Sequence, residues 1–70
     1  MEKEKFEIVF KECMKKESNN STVTIFLKKI KAHIRADEYI FLKRWSDDVI
    51  LFNNKVPIAM IQIKDIKRVQ

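Results

Sequence analysis

"STVTIFLKKIKAHIRADEYIFLKRW", residues 21–45, is where the chain changes its period and where its fold is decided. Residues 22–29 alternate Val23, Ile25 and Leu27 against Thr24, Phe26 and Lys28. Further on, Lys31, His33 and Arg35 fall on one side and Ile30, Ala32, Ile34 and Ala36 on the other. Strict alternation of this kind marks strands with one buried and one outward face. The outward side is either an ordinary solvated surface or a basic surface made to hold an anion.

Before this stretch the period is helical. Phe6, Val9, Phe10, Cys13 and Met14 recur at spacings of three and four, which predicts an amphipathic helix over about residues 3–16. Glu2, Glu4 and Glu7 near its start and Lys15 and Lys16 near its end suit the helix dipole. Ser18, Asn19, Asn20 and Ser21 are expected to break it, with Asn taking the left-handed cap usually given to Gly.

After this stretch extended segments continue. Residues 38–45 place Ile40 and Leu42 on one face and Tyr39, Phe41, Lys43 and Trp45 on the other, the second face being expected opposite the core. Residues 49–52 and 56–63 are further apolar runs, and turn residues lie between them at Asp37-Glu38, Ser46-Asp47-Asp48 and Asn53-Asn54. The chain has no glycine, so Asn and Asp must supply any positive φ that a tight hairpin needs. Pro57 puts the last run at a sheet edge or a bulge. One helix and five short strands predict a single, mainly β domain over residues 1–70. Its helix precedes a small, strongly bent antiparallel barrel over about residues 22–69, because there is too little chain for two stacked sheets.

A 70-residue chain buries only about 60% of its unfolded surface, so its core is marginal. Its one cysteine cannot form an internal disulfide, and one histidine gives no zinc set, so no cofactor or metal is expected. Oligomerisation is the remaining support. Residues 56–63 sharpen this expectation, with Val56, Ile58 and Met60 on one face and Ala59, Ile61 and Ile63 on the other. A small barrel has one interior, so the second face is expected under the helix or against a neighbouring subunit. No run of about 18 apolar residues is present, and MEKEKFEIVF does not read as a secretory signal, so a cytoplasmic protein without a membrane span is expected.

No catalytic set emerges. His33 lies between Lys31 and Arg35, Cys13 belongs to the apolar stripe, and the absence of glycine excludes Gly-rich phosphate loops. The protein is therefore not expected to be an enzyme. Charge points to binding instead: residues 1–20 are neutral in sum, and the whole net +5 lies in residues 21–70. Such asymmetry is the footprint of a nucleic-acid partner, although twelve Lys, ten Ile and no Gly are equally what AT-rich coding yields. Basic clusters occur at Lys15 and Lys16, at Lys28, Lys29, Lys31, His33 and Arg35, and at Lys64, Lys67 and Arg68. Phe26, Tyr39, Phe41 and Trp45 are interleaved with them. Cations beside aromatic faces suit single-stranded nucleic acid. Phe41 and Trp45 are expected to pack under the helix or between subunits, whereas Phe26 and Tyr39 are open to stacking or packing.

The order of elements resembles the Sm-like family and its bacterial Hfq members. CMKKES (residues 13–18) is similar to the end of the Hfq helix, and STVTIFL (residues 21–27) to the first strand. RWSDDVILFNN (residues 44–54) resembles the segment leading into the third strand, and MIQIKDIKRV (residues 60–69) the last strands. The family's glycines in the first hairpin and bent second strand are missing. VTIFL and DVILF lie further apart than usual, and ADEYIFL offers a second register. The family's lysine–histidine pair reads Ile63-Lys64. The resemblance implies a five-stranded SH3-like or Sm-like barrel and a homo-oligomeric ring, commonly a hexamer. It also implies binding of single-stranded RNA as a chaperone or post-transcriptional regulator. Lys15 and Lys16 would lie on the rim, Phe26 would stack bases on the distal face, and Lys64 would lie near the proximal pore. With those signatures missing, the family's A-rich or U-rich specificity is not expected to carry over. Together with the charge pattern, the expected RNA-binding residues are Lys15, Lys16, Phe26, Lys28, Lys29, Lys31, Arg35, Tyr39 and Lys64. The competing reading is a small phage or mobile-element module that binds or inhibits a host protein complex.

Overall fold

Phe6 and Phe10 fix the helix against the rest of the chain. In the computed structural model, which describes residues 1–16 and 22–70, α1 spans Lys3–Lys16 and buries both rings. Val9, Cys13 and Met14 lie half-buried beside them, completing the apolar stripe that the spacing predicts. The expected cap at residues 18–21 lies outside the described residues.

Among the described residues six strands follow, in two three-stranded antiparallel sheets. β1 (Val23–Leu27) stands between β2 (His33–Ala36) and β6 (Ile66–Val69). β4 (Asp48–Asn53) stands between β3 (Glu38–Phe41) and β5 (Val56–Gln62). The expected helix and mainly β architecture are present, with the strands in two antiparallel sheets that do not close on each other. The sixth strand, β6, is an addition to the five expected. A 3-10 turn at Ile63–Asp65 interrupts the last apolar run and sends the chain back to β1. Phe6, Phe10, Val23, Ile25, Ala36, Val49, Leu51, Ile63, Ile66 and Val69 form the buried core.

Asp37 is the joint between the sheets, since it alone separates β2 from β3. Its N–H donates to the Phe52 carbonyl at 2.9 Å, and its carboxylate accepts the Asn54 N–H at 2.9 Å. The Asn53 amide donates to the Arg35 carbonyl at 3.2 Å, adding a second tie across the joint. Asn54 and Lys55 both have positive φ, 55° and 69°, as a two-residue type I′ hairpin requires. Asn meets the expectation for such a position. Lys55 does not, and a Cβ in this region costs about 1–2 kcal/mol. Pro57 occupies edge strand β5, beside a register shift between Leu51 and Phe52.

One facing is the reverse of that expected from the sequence. Tyr39 and Phe41 point inward, while Ile40 and Leu42 are exposed. The reason is aromatic packing. Tyr39 meets Phe6 edge-on at 5.0 Å and Phe10 at 4.8 Å, and Phe41 meets Tyr39 at 5.6 Å. Rings bury more area than Ile and Leu and gain from edge-to-face contact, so the helix draws them in. Val56, Ile58 and Met60 do not lie under the helix and are exposed. Among the described residues no helix is long and apolar enough to cross a membrane.

Candidate nucleic-acid interface

The pairing of β1 with both neighbours brings three planar side chains into one row. Phe26 lies directly opposite His33 on β2 and Arg68 on β6. The Arg68 guanidinium stands 4.3 Å from the Phe26 ring centre, and the His33 ring lies 5.7 Å away on the other side, tilted by 42°. These residues point outward because Val23, Ile25, Ala36, Ile66 and Val69 take the inward places. In the next row Thr24 lies opposite Arg35 and exchanges backbone hydrogen bonds with Gln70 at 2.7 and 2.9 Å.

At the other end of the row the surface sinks into a groove of about 380 Å³. Phe26, Leu27 and Ile30 are its apolar lining, and Lys28, Lys29, Lys31, Lys67 and Arg68 supply cations around it. The strands β1, β2 and β6 contain no Asp or Glu, so no carboxylate on them neutralises the face. An apolar lining, planar groups and convergent cations can together take a base and its phosphate. An aromatic face stacks any base, and the ammonium and guanidinium groups displace the counterions of the backbone.

Of the sequence-predicted residues, Phe26, Lys28, Lys29 and Lys31 come together here, with Arg35 on the same outer face. Three others stand apart. Lys15 borders a separate depression with Phe10, Met14 and Tyr39, whose lining also holds Lys11, Asp37 and Glu38. Lys64 sits on the 3-10 turn, outside the groove lining. Tyr39 is corrected as a stacking candidate because Phe6, Phe10 and Phe41 surround its ring. Burial first, then the charge of Glu7 and a hydrogen bond to it, pushes the Tyr39 phenol above its ordinary value. Lys16 closes α1, and its side chain is outside the described set. Phe41 packs at the helix as expected, with Lys3 Nζ 4.2 Å above its ring. Trp45 does not pack there and is 87% exposed.

Sequence reasoning read Lys31, His33 and Arg35 as one outer face open to phosphate and Lys67 and Arg68 as a basic cluster, but left His33, Lys67 and Arg68 out of the expected binding set. The outward parity of His33 was visible, but the β1–β6 register that seats Arg68 over Phe26 joins opposite ends of the chain. Comparison with protein-family profiles, with curated proteins and with solved structures finds no match to this chain, so its function has to be read from these residues.

Proposed function

We propose that the protein is a non-catalytic, Sm-like RNA-binding protein that acts as an RNA chaperone or post-transcriptional regulator. The Arg68–Phe26–His33 row beside the lysine-lined groove carries this reading. Single-stranded RNA lies on this face, with an unpaired base against the planar row and its phosphates on Lys28, Lys29, Lys31 and Arg35. Unpaired bases can reach such a platform, whereas a duplex keeps its bases stacked inside. The element order supports the Sm-like part. A helix comes first, the chain passes between sheets at Asp37, and the last strand returns to the first.

In this reading the chain works in the cytoplasm as a ring of copies, with a neighbouring copy covering the apolar outer face of β3, β4 and β5. The same outward row, with Ile40 and Met60 exposed and Ile50 half-buried between them, favours a second reading, a phage or mobile-element module that docks on a host protein. Fluorescence anisotropy with A-rich RNA, U-rich RNA and a DNA duplex across a salt series separates the two. Preference for one RNA that persists at physiological salt is expected. Equal, weak binding that vanishes with salt would leave generic positive charge and sink the RNA reading.

A further inference from the structure

The turn between β3 and β4 is held firmly for a segment that exposes its largest side chain. Lys3 Nζ donates to the carbonyls of Arg44 at 2.9 Å and Ser46 at 3.2 Å. The Ser46 N–H donates to the Lys43 carbonyl at 3.0 Å. Ser46 Oγ accepts the Asp48 N–H at 3.0 Å and donates to the Asp48 carboxylate at 3.1 Å. On this braced turn Trp45 is 87% exposed, with the Arg44 guanidinium 5.2 Å from its ring. An aromatic of this kind can bury about 150–250 Å², and here the core uses almost none of it.

A second cavity lies between the basic groove and the foot of the turn. Leu27, Lys29 and Ile30 line the basic groove and also this cavity of about 370 Å³. Asp48, Met60, Ile61, Gln62 and Asp65 complete the lining of that second cavity, and Asp48 is the residue that Ser46 grips at the foot of the turn. We propose that Trp45 is a second base-stacking point for single-stranded RNA, engaged by a strand that is also seated on the Phe26 row. This rests on the RNA-binding reading above and adds a site to it.

The chemistry around the indole selects the ligand. Lys43 and Arg44 precede Trp45 and are exposed, and a guanidinium beside an indole face suits a base with its phosphate. Asp47 is the one exposed carboxylate of the turn, and Asp48 is occupied by Ser46. Fixing the turn beforehand removes an ordering cost from binding.

Trp45 is the only tryptophan in the chain, so the native protein reports on its own site. Unlabelled and end-labelled A-rich and U-rich RNAs are titrated into it, following Trp45 emission with the first and anisotropy with the second. Emission is expected to fall as anisotropy rises, with the same half-saturation. Trp45→Ala is expected to lose about five- to a hundredfold in affinity, Trp45→Phe less, both with unchanged thermal melting. Rising anisotropy with constant emission, or full affinity in Trp45→Ala, overturns the second site and leaves the RNA reading standing. No rise in anisotropy overturns both. A blue shift of the emission with protein concentration alone assigns Trp45 to a protein contact and overturns the proposal.

Discussion

The outward faces of the two sheets come from the same alternation of strand residues, yet they are chemical opposites. On the β2–β1–β6 sheet the central row is His33, Phe26 and Arg68, with Arg35 and lysines on either side. On the β3–β4–β5 sheet the central row is Ile40, Ile50 and Met60, with Ile40 52% and Met60 65% exposed. Neither face is needed for the core, which lies between the sheets and under the helix. An outward face that only keeps a protein in solution mixes charges of both signs. Here one face concentrates cations around aromatic surface and the other concentrates aliphatic surface. The two faces are therefore suited to different occupants, and the ones we propose are RNA and a second copy of the chain.

The largest expected effect comes from reversing charge on the basic face. Lys28→Glu with Lys31→Glu is expected to weaken RNA binding by about tenfold or more and to reduce the log–log salt slope by about 1.4, at about 0.7 per phosphate contact. Circular dichroism and particle size should stay as in the wild type. An unchanged slope would remove the groove from the RNA path. Phe26→Ala, read in the same anisotropy assay, is expected to cost about fivefold or more in affinity while leaving the slope intact, because it removes stacking and not charge. The same charge reversal at Lys15 is expected to do less, since it borders a separate depression away from the groove.

The apolar face gives the complementary break. Met60→Lys places a charge at the β5 end of the outward row. In an isolated chain such a surface change should alter stability by less than about 0.5 kcal/mol. In an assembly that covers the row it removes about 1.5–3 kcal/mol of burial per chain and adds a charge without a partner. Sedimentation velocity is expected to show a larger wild-type particle and an 8.4 kDa variant, both binding short RNA equally well at the basic face. A wild-type protein that already sediments at 8.4 kDa would instead favour docking on a different protein.

Local pattern made α1, β1 and the edge position of Pro57 legible in the sequence, because spacing and proline chemistry act within a few residues. It also placed Phe26, Lys28, Lys29 and Lys31 on one surface. It misjudged β3, where both faces are apolar and only the helix determines which one turns inward. Phe6 and Phe10 make that choice from more than 25 residues away. β6 was hidden by the 3-10 turn that breaks the last apolar run, and with it went the seat of Arg68. For Trp45 only the packing under the helix was misread, for a related reason. Parity grouped it with Tyr39 and Phe41, but the strand ends at Phe41 and the turn carries Trp45 away from the helix.

The smallest expected effect tests whether the faces are independent. Lys55 holds φ 69° in the hairpin of the apolar sheet, a conformation that glycine adopts without the clash of a Cβ. Relief of about 1–2 kcal/mol is partly offset by the freedom glycine gains in the unfolded chain. Lys55→Gly should therefore stabilise the domain by about 0.5–1 kcal/mol, raising Tm by roughly 2–8 °C in differential scanning calorimetry. A lower Tm would mean that the lysine geometry is not strained. RNA affinity is expected to stay the same, because the hairpin is remote from Phe26 along the strands. The exception to that separation is Arg35, whose carbonyl accepts the Asn53 amide at the root of the same hairpin, beside the Asp37–Asn54 contact. A stabilised variant whose RNA affinity also moves, with a changed salt slope, would show that the joint at Asp37 transmits strain from the apolar sheet to the basic one through Arg35.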